Sequence, residues 1–459
     1  MNKSCIIAQS GGPTAVINCT LLGIVEEAKR MGFEHIYGAL NGIEGVLNHR
    51  IVELTNQTHD QLQLLMSTPG AALGSGRHQL KSTEQDPETY QHIQKVFESL
   101  GIDCFFYIGG NDSMDTCNKV ANYFAKTNFS CNVIGVPKTI DNDLQGTDHT
   151  PGFGSAAKFV STTISEIYVD TNSYKKGRVT IVEVMGRNAG WLTAACKLAD
   201  LSNTPVDLIY LPERPFDLNS FLQDVQAIYN KKQKVLVAVS EGIRDANGQY
   251  ILKTVAQNKN DSFGHTQLGG VAQTLCDIIS EQLSLPVRHI ELNLLQRCSA
   301  HISSAADAQE AYNCGVFALQ MATQGHTCKM VSMFRDSQYH ISLQLKDIDN
   351  IANAVQIVPD KYINEQGNGI TDDFVTYALP LVQGEVPQHY KNGMPQYYQL
   401  DLPLVEIKLY QKQKRLDKLV AFLFYLITTK GFSSTRTYLC KVDNTYPFAQ
   451  LGRRGHRVR

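Results

Sequence analysis

The stretch that decides the fold is VIGVPKTIDND, residues 133–143, in which a short apolar run and a proline precede a polar loop. Such a run, closed by proline, is typical of a buried strand, and the loop then lies at the strand's carboxyl end. The loop contains Lys138, Asp141 and Asp143. One carboxylate can accept a hydroxyl proton, another can support a divalent cation, and a lysine can neutralise phosphate charge. These are the groups that phosphoryl transfer to a hydroxyl requires.

Strand and helix patterns alternate along the first half of the chain. Apolar runs predict strands over 4–9, 104–108, 132–136, 178–184 and 235–239, and helical spacing predicts helices over 15–31, 113–127 and 155–170. This alternation predicts βαβ units and parallel sheets that bind ligands at the carboxyl ends of their strands. The turns after these strands contain Gly11-Gly12, Gly109-Gly110, Asp141, Arg187 and Glu241. We therefore expect an α/β protein in which these turns form the wall of one crevice.

Composition narrows the class of protein. The chain has 459 residues, 43% of them hydrophobic and 19% charged, so it can bury a substantial core. A net charge of -2 argues against nucleic acid or an anionic membrane as the main partner. No apolar stretch approaches the ~18 residues of a membrane span, and residues 4–10 read as a first core strand, not a signal peptide. The 11 cysteines form no CxxC pair, so we interpret them as reduced thiols of a cytoplasmic protein.

Three turns contain groups that suit phosphate. Gly11 and Gly12 precede the first helix, where backbone N–H groups bind anions, although an ordinary tight turn explains them equally well. The loop 109–113, Gly-Gly-Asn-Asp-Ser, places an acidic residue where a metal could bind. Arg77 follows a glycine-rich turn, and arginine binds phosphate through two hydrogen bonds. A solvated surface arginine is the alternative for Arg77.

Two pairs of arginines flank apolar runs that predict strands over 179–184 and 290–295. Arg178 and Arg187 are nine residues apart, and so are Arg288 and Arg297. Four arginines in these positions suit a doubly phosphorylated product, and salt bridges at strand ends are the alternative. The histidines are isolated in the sequence and do not predict a metal site.

Together these motifs resemble the phosphofructokinase family, from about residue 4 to about residue 320. The matching segments are the glycine turn 10–18, the loop 109–113, Thr-Ile-Asp-Asn-Asp at 139–143, Met-Gly-Arg at 185–187 and Leu-Gln-Arg at 295–297. The resemblance implies a two-lobed α/β fold of parallel-sheet domains with the active site in the interdomain cleft. Residues 1–152 with about 296–345 would form a donor-binding lobe, and about 153–295 a sugar-phosphate-binding lobe. Residues of about 346–459 would form a C-terminal extension that wraps the core, and the last ~30 residues have no clear pattern.

The resemblance also implies an activity: phosphorylation of fructose 6-phosphate at the 1-hydroxyl, with Mg²⁺ as cofactor. Asp141 would be the base, Arg187 would stabilise the transferring group, and Lys138 would bind the leaving phosphate. The donor would bind at Gly11, Gly12, Arg77, Gly110, Asp112 and Lys138. The sugar phosphate would bind at Thr139, Asp143, Arg178, Met185, Gly186, Arg187, Glu241, Arg288 and Arg297.

The family pattern further implies a metal site and an oligomer. Mg²⁺ would bind at Asp112 and Asn111, and Asn111 stands where the family usually has an acidic ligand, which binds Mg²⁺ more strongly than an amide does. Arg178 would serve the site of a neighbouring subunit, so we expect a homodimer or homotetramer.

Two positions favour pyrophosphate over ATP as the donor. Family members that use ATP usually have glycine at the positions of Lys138 and Asp112, and members that use pyrophosphate resemble this chain. Bulky side chains there would occupy the space that the ATP α-phosphate needs. With pyrophosphate the reaction would run readily in both directions.

Two alternatives stay open from the sequence. One is an ATP-dependent 6-phosphofructokinase of the same fold. The other is a non-catalytic regulatory subunit that binds sugar phosphate, which Asn111 favours, as does Leu294 at a position where the family often has histidine. The intact Asp141, Asp143 and Arg187 argue against this second alternative.

Overall fold

The computed structural model of the protein describes residues 3–251, 270–351 and 354–407. Its strands are β1 (Ser4–Gln9), β2 (His35–Ala39), β3 (Ile51–Glu53), β4 (Cys104–Gly109), β5 (Asn132–Pro137), β6 (Arg178–Val184), β7 (Leu208–Tyr210), β8 (Lys234–Ser240), β9 (Val287–Glu291), β10 (Lys329–Arg335), β11 (Ile341–Asp347), β12 (Tyr390–Lys391) and β13 (Met394–Pro395). Its α-helices are α1 (Ile17–Arg30), α2 (Ile43–Leu47), α3 (His59–Gln63), α4 (Pro87–Leu100), α5 (Asn111–Lys126), α6 (Phe153–Asn172), α7 (Trp191–Ala194), α8 (Leu218–Lys232), α9 (Val271–Leu283), α10 (Leu295–Cys298), α11 (Ala305–Thr323) and α12 (Asp372–Ala378). The predicted alternation of strands and helices is confirmed.

The larger sheet has seven strands in the order β11-β10-β5-β4-β1-β2-β3. Its inner strands are parallel, and β3 and β11 pair antiparallel at the two edges. Strands β1, β4 and β5 are almost entirely buried, as expected for parallel strands covered by helices on both faces. Gln9 pairs with Ile108, and Gly109 with Pro137. This register brings the loops after β1, β4 and β5 to one edge of the sheet.

The smaller sheet has four parallel strands in the order β7-β8-β6-β9. Val184 at the end of β6 pairs with Ser240 at the end of β8. The loops that begin with Met185 and Glu241 therefore also lie side by side.

The described part of the predicted C-terminal extension contacts distant parts of the chain. Leu404 forms an antiparallel bridge with Val52 of β3, and the backbone carbonyl of Gln356 accepts a 2.9 Å hydrogen bond from the Trp191 indole. Residues up to Ile407 form one compact unit, and the division into lobes stays a prediction. The last ~30 residues lie outside the described residues.

The structure bears on two predictions from the sequence, that the cysteines are reduced and that no segment spans a membrane. The ten cysteines in the described part of the chain are unpaired, and eight of them are buried. No helix in the described ranges has both the length and the apolar character needed to cross a bilayer.

The packing of α1 against α11 depends on two glycines. A Cβ atom added to Gly315 would lie 2.2 Å from the carbonyl oxygen of Thr20, and one added to Gly23 would lie 2.1 Å from the carbonyl oxygen of Tyr312. Both distances are far below van der Waals contact. The two helix backbones therefore approach each other closely because neither glycine has a side chain.

We expect Gly315→Ala to destabilise the protein by about 2 kcal/mol, because an inserted methyl group must displace a backbone. In an unconstrained helix the same change would stabilise by about 1 kcal/mol. Thermal and urea unfolding measure the change in the free energy of unfolding. The control is Asn313→Ala at an exposed position of the same helix, with an expected change within about 0.5 kcal/mol. A Gly315→Ala protein as stable as the control would contradict the close approach.

Candidate active site

Loops at the carboxyl ends of strands from both sheets surround a cavity of about 350 Å³. The predicted site residues that line it are Gly11, Gly12, Arg77, Gly110, Asn111, Asp112, Lys138, Thr139, Asp141, Asp143, Met185, Arg187, Glu241 and Arg297. The structure thus brings into one cavity loops that are separated by up to almost 300 residues in the sequence.

The loops on the side of the larger sheet are connected to each other. Ser113 Oγ, in the first turn of α5, donates a 3.0 Å hydrogen bond to Ser10 Oγ. The backbone N–H of Gly11 donates a 3.1 Å hydrogen bond to the carbonyl of Gly76. Gly11 has a φ of 77°, which a side chain would strain. The glycine turn, the start of α5 and the turn before Arg77 therefore form one surface.

Three cationic side chains surround the glycine turn. The ammonium group of the buried Lys138 donates a 2.7 Å hydrogen bond to the carbonyl of Gly12. A Cβ atom on Gly12 would lie 3.1 Å from Nη1 of Arg297 and 3.9 Å from Nη2 of Arg77. Burial lowers the pKa of Lys138 to about 7; the charge of Asp141 opposes this shift, and the two arginines add to it. An anion bound at this turn would stabilise the protonated lysine, as a phosphate site requires.

The two aspartates of the loop 139–143 have raised pKa values. Burial raises the pKa of Asp141, although the charges of Lys138 and Arg187 oppose the shift. Burial and the charge of Asp141 raise the pKa of Asp143 to about 7. The Asp141 backbone N–H donates to Thr139 Oγ1 at 3.1 Å, which orders the turn. A carboxylate whose pKa is raised is a stronger base, which suits it to accept a proton from a hydroxyl group.

The opposite side of the cavity comes from the loops after β6 and β8. Glu241 Oε1 accepts a 3.3 Å hydrogen bond from the backbone N–H of Gly186, and burial raises the pKa of Glu241 to about 7. The backbone N–H of Met185 donates to the side chain of Gln296 at 3.1 Å, which connects this loop to α10. The Nε of Arg187 is buried and has no hydrogen-bond partner among the described residues. An anionic ligand in the cavity would satisfy it.

The oxygen atoms near the start of α5 suit a hard divalent cation. Oδ1 of Asn111 is buried without a hydrogen-bond partner in the described ranges, and its Nδ2 lies 3.5 Å from Oδ2 of Asp143. Asp112 lines the same cavity. Within the described residues, no three His, Cys, Asp or Glu side chains converge as a metal-binding group. Mg²⁺ usually uses one or two carboxylates together with phosphate oxygens and water, so this donor set fits it.

Three predicted site residues do not line the cavity. Gly186 does not line the cavity, but its backbone N–H donates a hydrogen bond to Glu241, which does. Arg178 begins β6 and Arg288 is the second residue of β9, so both lie at the amino ends of these strands. The strand prediction over 290–295 is wrong, since β9 ends at Glu291 and a helix begins at Leu295. Nη1 of Arg288 lies 3.4 Å from the carboxylate of Asp170, and both side chains are partly exposed. These two arginines are thus remote from the cavity of their own chain.

Sequence reasoning missed several residues that line or support the cavity. Val355 lines it because its backbone forms a bridge with Leu144, directly after the loop 139–143. A single valine in a segment without periodicity gives no signal that could have identified it. Gln296, in contrast, lies inside the Leu-Gln-Arg motif, and the motif itself could have drawn attention to it.

The family follows from comparison with known proteins. A family model described as phosphofructokinase matches residues 4–322. The chain belongs to the phosphofructokinase family. It is 38% identical to the pyrophosphate–fructose 6-phosphate 1-phosphotransferase of Rhodospirillum rubrum, over 84% of this chain and 96% of that protein. It is 37% identical to the protein of the same name from Xanthomonas campestris, over 89% of this chain and 98% of that one.

A solved structure agrees with this assignment. The pyrophosphate-dependent phosphofructokinase of Nitrosospira multiformis superposes with a TM-score of 0.81 at 34% identity, covering 89% of this chain and 99% of that chain. The predicted family and the predicted α/β fold class are confirmed.

The three cations at the glycine turn lead to a binding prediction. We expect Arg297→Ala to raise the Kd of pyrophosphate at least about 10-fold, since a hydrogen bond to a charged group contributes about 1.5–3 kcal/mol. Isothermal titration calorimetry measures it. Arg288→Ala removes the same side chain at the far end of the smaller sheet and should change that Kd by less than about 2-fold. Equal effects of the two substitutions would contradict the placement of Arg297 beside Gly12.

Proposed function

We propose that the protein transfers a phosphoryl group from pyrophosphate to the 1-hydroxyl of fructose 6-phosphate, forming fructose 1,6-bisphosphate and phosphate. The observation that carries the proposal is the composition of one loop. Lys138 contacts the glycine turn with its ammonium group, and Asp141, three residues later, lines the same cavity. In this proposal Lys138 is the cation for the leaving phosphate, and Asp141 is the base for the attacking hydroxyl. The names of the relatives from R. rubrum and X. campestris support the choice of both substrates.

The donor would bind on the surface formed by the glycine turn and the start of α5. Gly11 and Gly12 line this part of the cavity, and Arg77, Lys138 and Arg297 surround them with positive charge. We thus assign Arg297 to the donor, although the family resemblance implied that it binds the sugar phosphate. Phosphoryl transfer requires little covalent work from the protein, and its rate depends mainly on positioning and on charge stabilisation. Mg²⁺, bound by Asp112 with Asn111, would supply further neutralisation of the phosphate oxygens.

The transfer step would use Asp141 and Lys138 of the loop together with Arg187. Asp141 accepts the proton of the sugar 1-hydroxyl while the hydroxyl oxygen forms its bond to phosphorus. The bond from phosphorus to the leaving phosphate breaks, and Lys138 neutralises the negative charge that the leaving group gains. Arg187, whose buried Nε lacks a partner among the described residues, stabilises the transferring group.

The sugar would bind between this loop and the loops of the smaller sheet. Thr139, Met185 and Glu241 line that part of the cavity, and Gly186 orients Glu241. Arg178 and Arg288 are remote from the cavity of their own chain, so we propose that they bind the 6-phosphate in the site of a neighbouring subunit. The protein would then be a homodimer or homotetramer. We place it in the cytoplasm, as the interpretation of its cysteines as reduced thiols suggests.

The donor assignment is tested by parallel assays with pyrophosphate and ATP. We expect fructose 1,6-bisphosphate to form from fructose 6-phosphate with Mg²⁺ and pyrophosphate, and not with ATP. In the double variant Lys138→Gly with Asp112→Gly we expect activity with ATP to appear and activity with pyrophosphate to fall. Turnover of the wild-type protein with ATP alone would overturn the donor assignment. Binding of fructose 6-phosphate without turnover on either donor would favour a regulatory subunit.

The assignment of Asp141 as the base gives a second prediction. Asp141→Ser should lower kcat by about 10²–10⁴-fold while the Kd of fructose 6-phosphate stays within about 3-fold. For the wild-type enzyme, kcat/KM should decrease as the pH falls through about 7, because Asp143, whose pKa burial raises to about 7, then becomes protonated. Steady-state kinetics and calorimetry measure these quantities.

The control for this substitution is Asp277→Ser, which removes an exposed carboxylate from α9. Its kcat should equal that of the wild-type protein. A fully active Asp141→Ser enzyme would remove Asp141 from the role of base.

A further inference from the structure

A cluster of four charged side chains, none of which lines the cavity, includes two residues shortly after the loop 139–143. His149 Nδ1 is 2.7 Å from Asp148 Oδ2, and His149 Nε2 is 2.8 Å from Glu310 Oε2. Arg335 Nη2 is 2.8 Å from the same oxygen of Asp148. The imidazole is 1% exposed, and the other three side chains are 12–21% exposed. The cluster joins the segment after the loop to α11 and to the end of β10.

The charges of this cluster are balanced. Burial alone would lower the pKa of His149, but the hydrogen bonds and charges of Asp148 and Glu310 raise it to about 9. At neutral pH the imidazolium and the Arg335 guanidinium therefore face two carboxylates. Because an unpaired buried charge is strongly destabilising, removal of one member disturbs the arrangement of the others.

Tyr377 of α12 connects the cluster to the loop 139–143. Its hydroxyl accepts a 2.9 Å hydrogen bond from Asn142 Nδ2 and donates a 3.0 Å hydrogen bond to the backbone carbonyl of Asp148. Arg335 donates a 2.7 Å hydrogen bond to the Tyr377 carbonyl and stacks over its ring at 4.5 Å. Tyr377 does not line the cavity. Tyr377 therefore contacts the loop directly and can affect a substrate only through the loop.

Asn142 is the residue between the two aspartates of the loop. It is fully buried and has a φ of 55°, in the left-handed region that non-glycine residues adopt at a cost. Its Oδ1 accepts a 3.0 Å hydrogen bond from the backbone N–H of Thr150, and its Nδ2 binds Tyr377. The two side-chain hydrogen bonds stabilise this backbone conformation and so determine where Asp141 and Asp143 point.

We propose that Tyr377 and His149 are positioning residues, which fix the directions of Asp141 and Asp143 without touching the substrate. Tyr377 acts by its hydrogen bond to Asn142, and His149 acts by holding Asp148, whose backbone carbonyl binds the Tyr377 hydroxyl. The proposal rests on the proposed function of Asp141 as the base. It assigns a role to the C-terminal segment that contains α12: the segment supports the catalytic loop through Asn142 without lining the cavity.

The test compares Tyr377→Phe with Tyr362→Phe. Both substitutions remove one hydroxyl from the same aromatic cluster, in which the two rings are 5.6 Å apart, and the Tyr362 hydroxyl makes no hydrogen bond to the loop in the described ranges. We expect Tyr377→Phe to lower kcat at least about 10-fold, since a misplacement of about 1 Å can cost about 10²-fold. The KM values for both substrates should stay within about 2-fold, and Tyr362→Phe should leave kcat unchanged.

A second pair of measurements separates positioning from general stability. His149→Gln should lower kcat in the same way, and the double variant with Tyr377→Phe should lose less than the product of the two single effects, because both substitutions act through Asn142. Activities are normalised to the folded fraction from thermal unfolding. Independent, multiplicative effects, or a rise in KM at constant kcat, would overturn the proposal.

A further readout does not depend on turnover. Hydrogen–deuterium exchange of a peptide that covers residues 138–150 should be faster in Tyr377→Phe than in Tyr362→Phe. If the wild-type protein fails to phosphorylate fructose 6-phosphate, the proposed function fails while this exchange still reports on the loop. Equal exchange in the two variants would show that Tyr377 does not order the loop.

Discussion

The active site depends on the parallel pairing of β4 with its neighbours β1 and β5. The backbone N–H of Ser10 bonds to the Ile108 carbonyl at 2.9 Å, and that of Lys138 bonds to the Gly109 carbonyl at 3.0 Å. These ladder hydrogen bonds bring the glycine turn, the start of α5 and the loop 139–143 to the same level of one sheet edge. A shift of register would separate the lysine from the turn, and the electrostatics of the cavity would be lost.

The electrostatics follow from this geometry. Lys138 is buried beside two arginines, and its positive charge is balanced in part by Asp141. The same burial raises the pKa values of Asp143 and Glu241 to about 7. A cavity with cations at the glycine turn and carboxylates of raised pKa elsewhere on its wall suits an anionic donor and a neutral hydroxyl. The cluster of buried charges around His149 supports the loop 139–143 through Tyr377 and Asn142.

Much of the fold could be predicted because its strands are continuous apolar runs. The prediction of 178–184 agrees with β6 at both ends, and that of 104–108 is one residue shorter than β4. The short edge strand β3 was not predicted, since three residues carry little pattern. The grouping of arginines in pairs was misleading as a guide to one cavity. Arg178 begins β6 and Arg187 follows the end of that strand, whose seven residues span about 20 Å, so only Arg187 lines the cavity.

The sequence by itself determined the buried strands that precede the site, the turns after them and the chemistry of the loop 139–143, because these depend on neighbouring residues. Only the tertiary structure decided which turns meet and what supports them. Asn142 and Tyr377 are separated by 235 residues, yet one hydrogen bond joins them. Val355 lines the cavity only because its segment pairs with Leu144. Such contacts arise from the packing of distant segments, and no local periodicity encodes them.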